Sequence, residues 1–212
     1  MPSTPTLSQS AKHDFAMIMS QGREFNAVAF YDLASGQLRT LSATDADADN
    51  VKLAGGGDLL LWTTNEEGYS KLQGVDLITQ QPMRLPKLPA GVYDIDVSTT
   101  GEVVSVNVDG PGTPGDVYVW SIGTPEQVDR IFAASIGGLD PSTFVTPISL
   151  NYPAQDGVQL QGLLYLPDAE IFAGKRPVVV QIHGGPTAQS RPGFRPVEQL
   201  SLIHISEPTR QL

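Results

Sequence analysis

The chain has no cysteine, which excludes disulfide bridges and thiolate metal sites. It is also poor in cations, with 13 Lys and Arg against 23 Asp and Glu in 212 residues, a net charge of -10. That balance argues against nucleic acid or an anionic membrane surface as a partner, because both are bound through basic patches. No apolar run approaches the roughly 18 residues of a membrane-spanning helix. The start, Met1-Pro2-Ser3-Thr4-Pro5, lacks the basic-then-apolar order of a secretory signal, so a cytoplasmic location is expected. Gly-x-Ser-x-Gly, which would set a serine nucleophile on a sharp strand-to-helix turn, does not occur. What the chain does have is 21 glycines and 17 prolines with only 17% charged residues, the mix of a turn-rich β protein.

The first two-thirds of the chain repeats. His13-Asp14-Phe15-Ala16, Gly57-Asp58-Leu59-Leu60 and Gly101-Glu102-Val103-Val104 recur every 44 residues. Tyr31-Asp32-Leu33, Val75-Asp76-Leu77 and Trp120-Ser121-Ile122 follow in step, at spacings of 44 and 45. Arg39, Arg84 and Arg130 come next, each beside a short apolar run. A period in the forties with several short strands per unit predicts β-propeller blades. In the second unit the strands are expected at Asn50 to Leu53, Leu59 to Thr63, Tyr69 to Leu77 and Met83 to Leu88. In the third they are expected at Tyr93 to Val97, Glu102 to Val108, Val117 to Ile122 and Val128 to Phe132, with a widened turn over Asp109 to Gly115. Thr6 to Gln9 would complete the first unit. Three blades cannot close a ring, so further blades are expected to precede Met1 in a longer parent.

Gly137-Gly138 and Pro141 mark a boundary. Beyond it, Thr146 to Tyr152 and Val158 to Leu166 read as an antiparallel pair turning at Asp156-Gly157. Val178-Val179-Val180-Gln181-Ile182 is an almost wholly apolar run, the pattern of a central strand covered on both faces. It ends in His183-Gly184-Gly185-Pro186, where paired glycines let the backbone turn tightly and bring N–H groups close to a ligand. In α/β-hydrolases such a loop donates one N–H to the oxyanion of an acyl-transfer intermediate.

Read together with Val158 to Pro167 before it and Thr187-Ala188-Gln189-Ser190-Arg191-Pro192-Gly193-Phe194 after it, this order resembles the start of the catalytic domain in the prolyl oligopeptidase family of serine peptidases. The acylaminoacyl-peptidase or dipeptidyl-peptidase-like branch is the one it resembles. The likeness is specific over 144–199 and architectural before that. It implies a mainly β chain: a partial β-propeller of three four-stranded antiparallel blades over 1–136, then the first strands of an α/β-hydrolase domain over 137–199. It implies Gly185, with Gly184 next, as the oxyanion donor. His183 would support the loop rather than act as base. Arg191 would position either substrate or the following helix. Nucleophile, acid and base would all lie beyond residue 199, so this chain would be an inactive fragment of a peptidase acting on short peptides, with the propeller gating access. No cofactor or metal is implied, and the oligomeric state is not legible. An esterase using the same loop and a non-catalytic propeller scaffold are the alternatives.

Other tempting features have plainer readings. Asp45-Ala46-Asp47-Ala48-Asp49-Asn50 mimics the opening of a calcium loop but lacks the glycine at its sixth position, so a solvated acidic connection is expected. Glu66-Glu67 resembles the glutamate pair with which the dipeptidyl branch holds a substrate amino terminus, but it falls in a hairpin turn. Gly55-Gly56-Gly57 opens no helix and reads as a turn. Trp62, Tyr69, Tyr93 and Trp120 fall on expected strands, where packing is their default role. Residues 200–212 begin Leu-Ser-Leu-Ile-His-Ile-Ser-Glu-Pro-Thr-Arg, which resembles a translated sequencing adapter; the tail is expected to be non-native and to pack little.

Overall fold

A computed structural model describes residues 7–9, 15–20, 22–42, 45–169, 175, 177–185 and 188–204. The expected turn near Asp14 lies outside them, as do Pro186, Thr187 and residues 205–212. The first sheet is a four-stranded antiparallel meander of β1 (Leu7–Gln9), β2 (Phe15–Met19), β3 (Ala27–Asp32) and β4 (Gln37–Thr40). The second contains β5 (Ala48–Ala54), β6 (Leu59–Glu66) and β7 (Tyr69–Asp76). The third contains β8 (Val92–Val97), β9 (Val103–Gly110), β10 (Thr113–Ser121) and β11 (Val128–Phe132) in order. These are propeller blades, and none of the sheets closes on itself.

Two local expectations are corrected. The second blade has no fourth strand: the segment returning from the turn pairs with β7 only as far as the Val75–Pro82 bridge, with bonds from the Asp76 N–H to the Gln81 carbonyl at 3.0 Å and from the Met83 N–H to the Gly74 carbonyl at 2.9 Å. Pro82, Pro86 and Pro89 lack the N–H groups a ladder needs. Met83, Leu85 and Leu88 nevertheless pack on the core, and the Tyr93 hydroxyl donates to the Pro89 carbonyl at 2.6 Å, so the segment closes the blade without pairing along it. The widened turn at Asp109 to Gly115 is instead tight. The β9–β10 ladder continues to Gly110–Thr113, leaving Pro111-Gly112 at the tip and a bulge between Pro114 and Asp116.

The apolar run Leu59 to Trp62 explains how the blades stack. Alternation along β6 sends Leu60 and Trp62 into a core with Ala16, Val28 and Phe30 of the first blade. Leu61 goes the other way, into a core with Ile95, Val104, Val106, Val108 and Trp120 of the third. Each fully buried Leu or Ile contributes about 1.5–3 kcal/mol, so the second blade is held on both faces. Equivalent positions of adjacent blades also bond directly. Lys52 Nζ reaches Asp96 at 3.0 Å across 44 residues, and Asn50 Nδ2 donates to the Tyr93 carbonyl at 3.1 Å. Gly55 N–H donates to the Gly101 carbonyl at 2.8 Å. A Cβ on Gly101 would stand 2.9 Å from the Gly55 nitrogen, and its φ of +77° independently favours glycine.

The repeat is also visible in its turns. Asp32 Oδ1 accepts from the N–H groups of Ala34 and Ser35, and Asp76 Oδ1 from those of Ile78 and Thr79. These bonds, with the Ser35 and Thr79 backbone N–H foremost, hold both carboxyls below their ordinary pKa. The third blade has Ser121 at this place, and a Thr124 N–H to Ser121 carbonyl bond forms the turn instead.

After the blades, Asp140 caps a short 3-10 turn by accepting from the Ser142 N–H. β12 (Ile148–Pro153) and β13 (Gln159–Leu164) then form the expected hairpin around Asp156-Gly157. The expected central strand at Val178 to Ile182 does not form. It has no ladder partner among the described residues, and Val178, Val179, Val180 and Ile182 are 82%, 88%, 77% and 84% exposed. A parallel strand needs a neighbour to satisfy its N–H and C=O groups, and none of the described segments lies alongside it. The last described element is α1 (Pro196–His204), which runs across residue 200, where the adapter-like tail begins.

Candidate functional site

The glycine turn follows this exposed run. Gly185 has φ +78°, a left-handed value open to glycine at little cost. Among the described residues, no atom beyond its chain neighbours lies within 4 Å of where a Cβ on Gly184 would stand, so a ligand's backbone can come close to the turn. The Gly185 carbonyl accepts from the Ala188 N–H at 3.5 Å. His183 Nδ1 lies 3.4 Å from the Gly184 carbonyl, a long contact on an exposed side chain.

The segment beyond the turn is tied to the second and third blades. Arg191 is the main tie: Nη1 donates to Asp49 Oδ2 at 2.7 Å, Nε to the Gly68 carbonyl at 2.8 Å and Nη2 to Ser70 Oγ at 3.0 Å. Asn65 Nδ2 donates to Gln189 Oε1 at 2.7 Å. Asp109 Oδ1 accepts from the Phe194 N–H at 2.8 Å, and the Phe194 ring tilts against Phe144 at 5.2 Å. Gln199 is buried; its Oε1 accepts from the Val145 N–H at 2.8 Å and its Nε2 donates to the Val145 carbonyl at 2.9 Å. Burial at this junction raises the pKa of the Tyr165 phenol. Apart from Arg191, none of these tying residues is marked in the sequence for this role. Asp49, Asn65, Ser70 and Asp109 lie on strands or strand ends of blades, and their partners are 85 to 142 residues away.

The acidic connection is not simply solvated. Ala48 to Asn50 belong to β5, and the ladder slips between Ala48 and Asn50, which leaves Asp49 as the extra residue of a bulge and aims its side chain at Arg191. Asp47 Oδ1 accepts from the Asn26 N–H at 2.7 Å. With Asp45, Glu67, Gln161 and Gln189 these residues line a cleft of about 600 Å³. Glu66 and Glu67 do not act as a pair: Glu66 is bound to Lys71 at 3.3 Å, while Glu67, at φ +53°, forms the tip of the β6–β7 turn and faces the cleft. Among the described residues no group of three His, Cys, Asp or Glu is placed to hold a metal ion, and no helix is long and apolar enough to cross a membrane.

No family model matches the chain. It is 23% identical over 172 residues to the uncharacterized peptidase YuxL of Bacillus subtilis (strain 168), a match covering 74% of this chain and 26% of the relative. The chain therefore spans about a quarter of that relative's length. In structure it is similar to prolyl oligopeptidase B from Galerina marginata bound to a 35mer hydrolysis and macrocyclization substrate. That match has a TM-score of 0.63 and 15% identity and covers 74% of this chain and 23% of that one. A prolyl endopeptidase structure matches with a TM-score of 0.62 at 15% identity, covering 74% and 23%. The blades thus share the fold of the propeller in those structures, and the sequence match is to a relative named as a peptidase.

Proposed function

We propose that this chain is part of a serine peptidase of the prolyl oligopeptidase family that cleaves short peptides by acyl transfer, with the propeller restricting access. In this reading residues 1–136 are propeller, 137–199 open the hydrolase domain, and the protein works in the cytoplasm. The observation that carries the reading is the left-handed glycine turn at Gly185, set after an apolar run and a series of propeller blades. Serine attack on a peptide carbonyl places negative charge on its oxygen, and a fixed backbone N–H there lowers the barrier. Gly185 supplies that N–H, Gly184 lets the substrate approach, and His183 braces the turn. The nucleophile, acid and base come from beyond residue 199, so the 212-residue chain alone turns nothing over.

The test is Gly185→Pro in the complete enzyme, which removes the N–H. Loss of one oxyanion donor costs about 10²–10³ in kcat, or about 2.7–4 kcal/mol. Proline's φ near about −65° also conflicts with the +78° of this residue. Gly185→Ala is therefore the control: it keeps the N–H and carries only the left-handed strain. With both variants folded, the proline enzyme should fall at least tenfold below the alanine enzyme on a chromogenic peptide. Equal kcat values would place the oxyanion elsewhere, and turnover of a chromogenic ester with no peptide cleavage would make the parent an esterase.

A further inference from the structure

We infer that Arg191 is a positioning residue: its pairing with Asp49 fastens the segment after the Gly184-Gly185 turn to the second blade, so that the blade sets where the turn sits. The inference rests on the peptidase reading only for what the turn then does. Each nitrogen of the guanidinium is directed at a different residue of the second blade: a carboxylate, a carbonyl and a hydroxyl. The planar fork fits such fixed geometry, whereas a lysine could satisfy one partner at a time. Ser70 Oγ also accepts from the Tyr93 N–H at 3.0 Å, so the third blade shares the anchor.

Among the described ion pairs, only this one has both partners largely buried; Asp116 is 7% exposed, but its partner Arg130 is 55% exposed. The Arg191 and Asp49 side chains are 22% and 26% exposed, against 32% and 74% for Lys52 and Asp96 and 86% and 59% for Arg84 and Glu126. Solvent screens it less, so it contributes more than an ordinary surface pair. The bulge that singles out Asp49 has this contact as its structural result. Geometry gives the reach: Gly185 and Arg191 are six Cα–Cα steps apart, so a fully extended link confines the turn to about 20 Å from the clamp. Gln189 is held as well, but by a single neutral, exposed bond from Asn65; with that bond and Arg191 both lost, the tie at Phe194 would allow about 30 Å.

The experiment begins with this chain. Backbone hydrogen exchange is measured for wild type, Asp49→Ala, Arg191→Lys and the charge reversal Asp49→Arg with Arg191→Asp. Exchange over Ala188 to Phe194 should rise at least tenfold in Asp49→Ala and at least threefold in Arg191→Lys. It should return part of the way in the reversal, while Val104 to Val108 of β9 stay as slow as in wild type. Rates within twofold of wild type in Asp49→Ala would overturn the clamp. In the complete enzyme, Asp49→Ala should lower kcat at least fivefold with KM within twofold, and the reversal should recover activity. An active enzyme whose kcat ignores Asp49→Ala overturns the positioning role. A complete protein without peptidase activity overturns the peptidase reading instead, and the exchange data then judge the clamp alone.

Discussion

Two runs of this chain have nearly the same strand-forming composition and different fates. β9 reads Val-Val-Ser-Val-Asn-Val-Asp-Gly, and its Val104, Val106 and Val108 are all 0% exposed. The run after Pro177 reads Val-Val-Val-Gln-Ile, and its four aliphatic residues are 77–88% exposed. β9 lies between β8 and β10, which satisfy its backbone on both sides, and the second blade covers its apolar face with Leu61 and Ala54. The second run has neither a ladder nor a covering layer among the described residues. β propensity describes how well a residue fits a pleated surface once the neighbours exist; it does not supply them.

The sharpest way to break this comparison is to place the same charge in both runs. Val106→Asp buries an unpaired carboxylate and should cost about 4 kcal/mol or more, enough to prevent folding. Val180→Asp should change stability by no more than about 0.5 kcal/mol. Chemical denaturation of the two variants reads the difference; a comparable loss at Val180 would mean that the second run is covered after all. A smaller effect is expected where the blades touch through backbone. Gly101→Ala forces a side chain into the left-handed region, against the nitrogen of Gly55, and should cost about 1–3 kcal/mol. Gly112→Ala, at a tip where no described atom beyond its chain neighbours lies within 4 Å of the added Cβ, is the matched control and should leave the melting curve in place.

The smallest effect belongs to the exposed Lys52–Asp96 pair. Lys52→Ala should cost about 0.2–1 kcal/mol. The Lys52 ammonium and then the Val97 N–H lower the pKa of Asp96. Because the folded value lies below the unfolded one, the stabilisation is present at neutral pH and is lost as pH falls through the lowered value. A carbon-detected NMR titration should show that midpoint below the ordinary aspartate range, moving upward in Lys52→Ala. An unmoved midpoint would detach Lys52 from Asp96.

The blades were legible because a propeller is built from local patterns. Turn residues recur every 44 positions, and the alternation in Val103 to Val108 shows which side of β9 is apolar. The second blade's outer segment was misjudged on the same grounds: Met83, Leu85 and Leu88 do face the core, but the prolines among them forbid a ladder. The widened turn at Asp109 to Gly115 was misread because glycine and proline mark a turn without giving its length, and a bulge absorbed the extra residue. At the candidate site the turn itself was legible, since only the backbone freedom of Gly184-Gly185 was needed to see it. The ties around it were not, because Asp49 and Arg191 are 142 residues apart and neither belongs to a local pattern that names the other.

The sequence by itself determined the period of the blades, the turns at 55–58 and 65–68, the hairpin after Pro141 and the glycine turn after Ile182. Each of these follows from backbone preference and side-chain alternation within a few residues. Only the tertiary structure decided which apolar runs became buried strands, which carboxylate met Arg191 and how the second blade closed. Those outcomes depend on which surfaces are brought together to share hydrogen bonds and exclude water, and that is a property of neighbours in space rather than of neighbours along the chain.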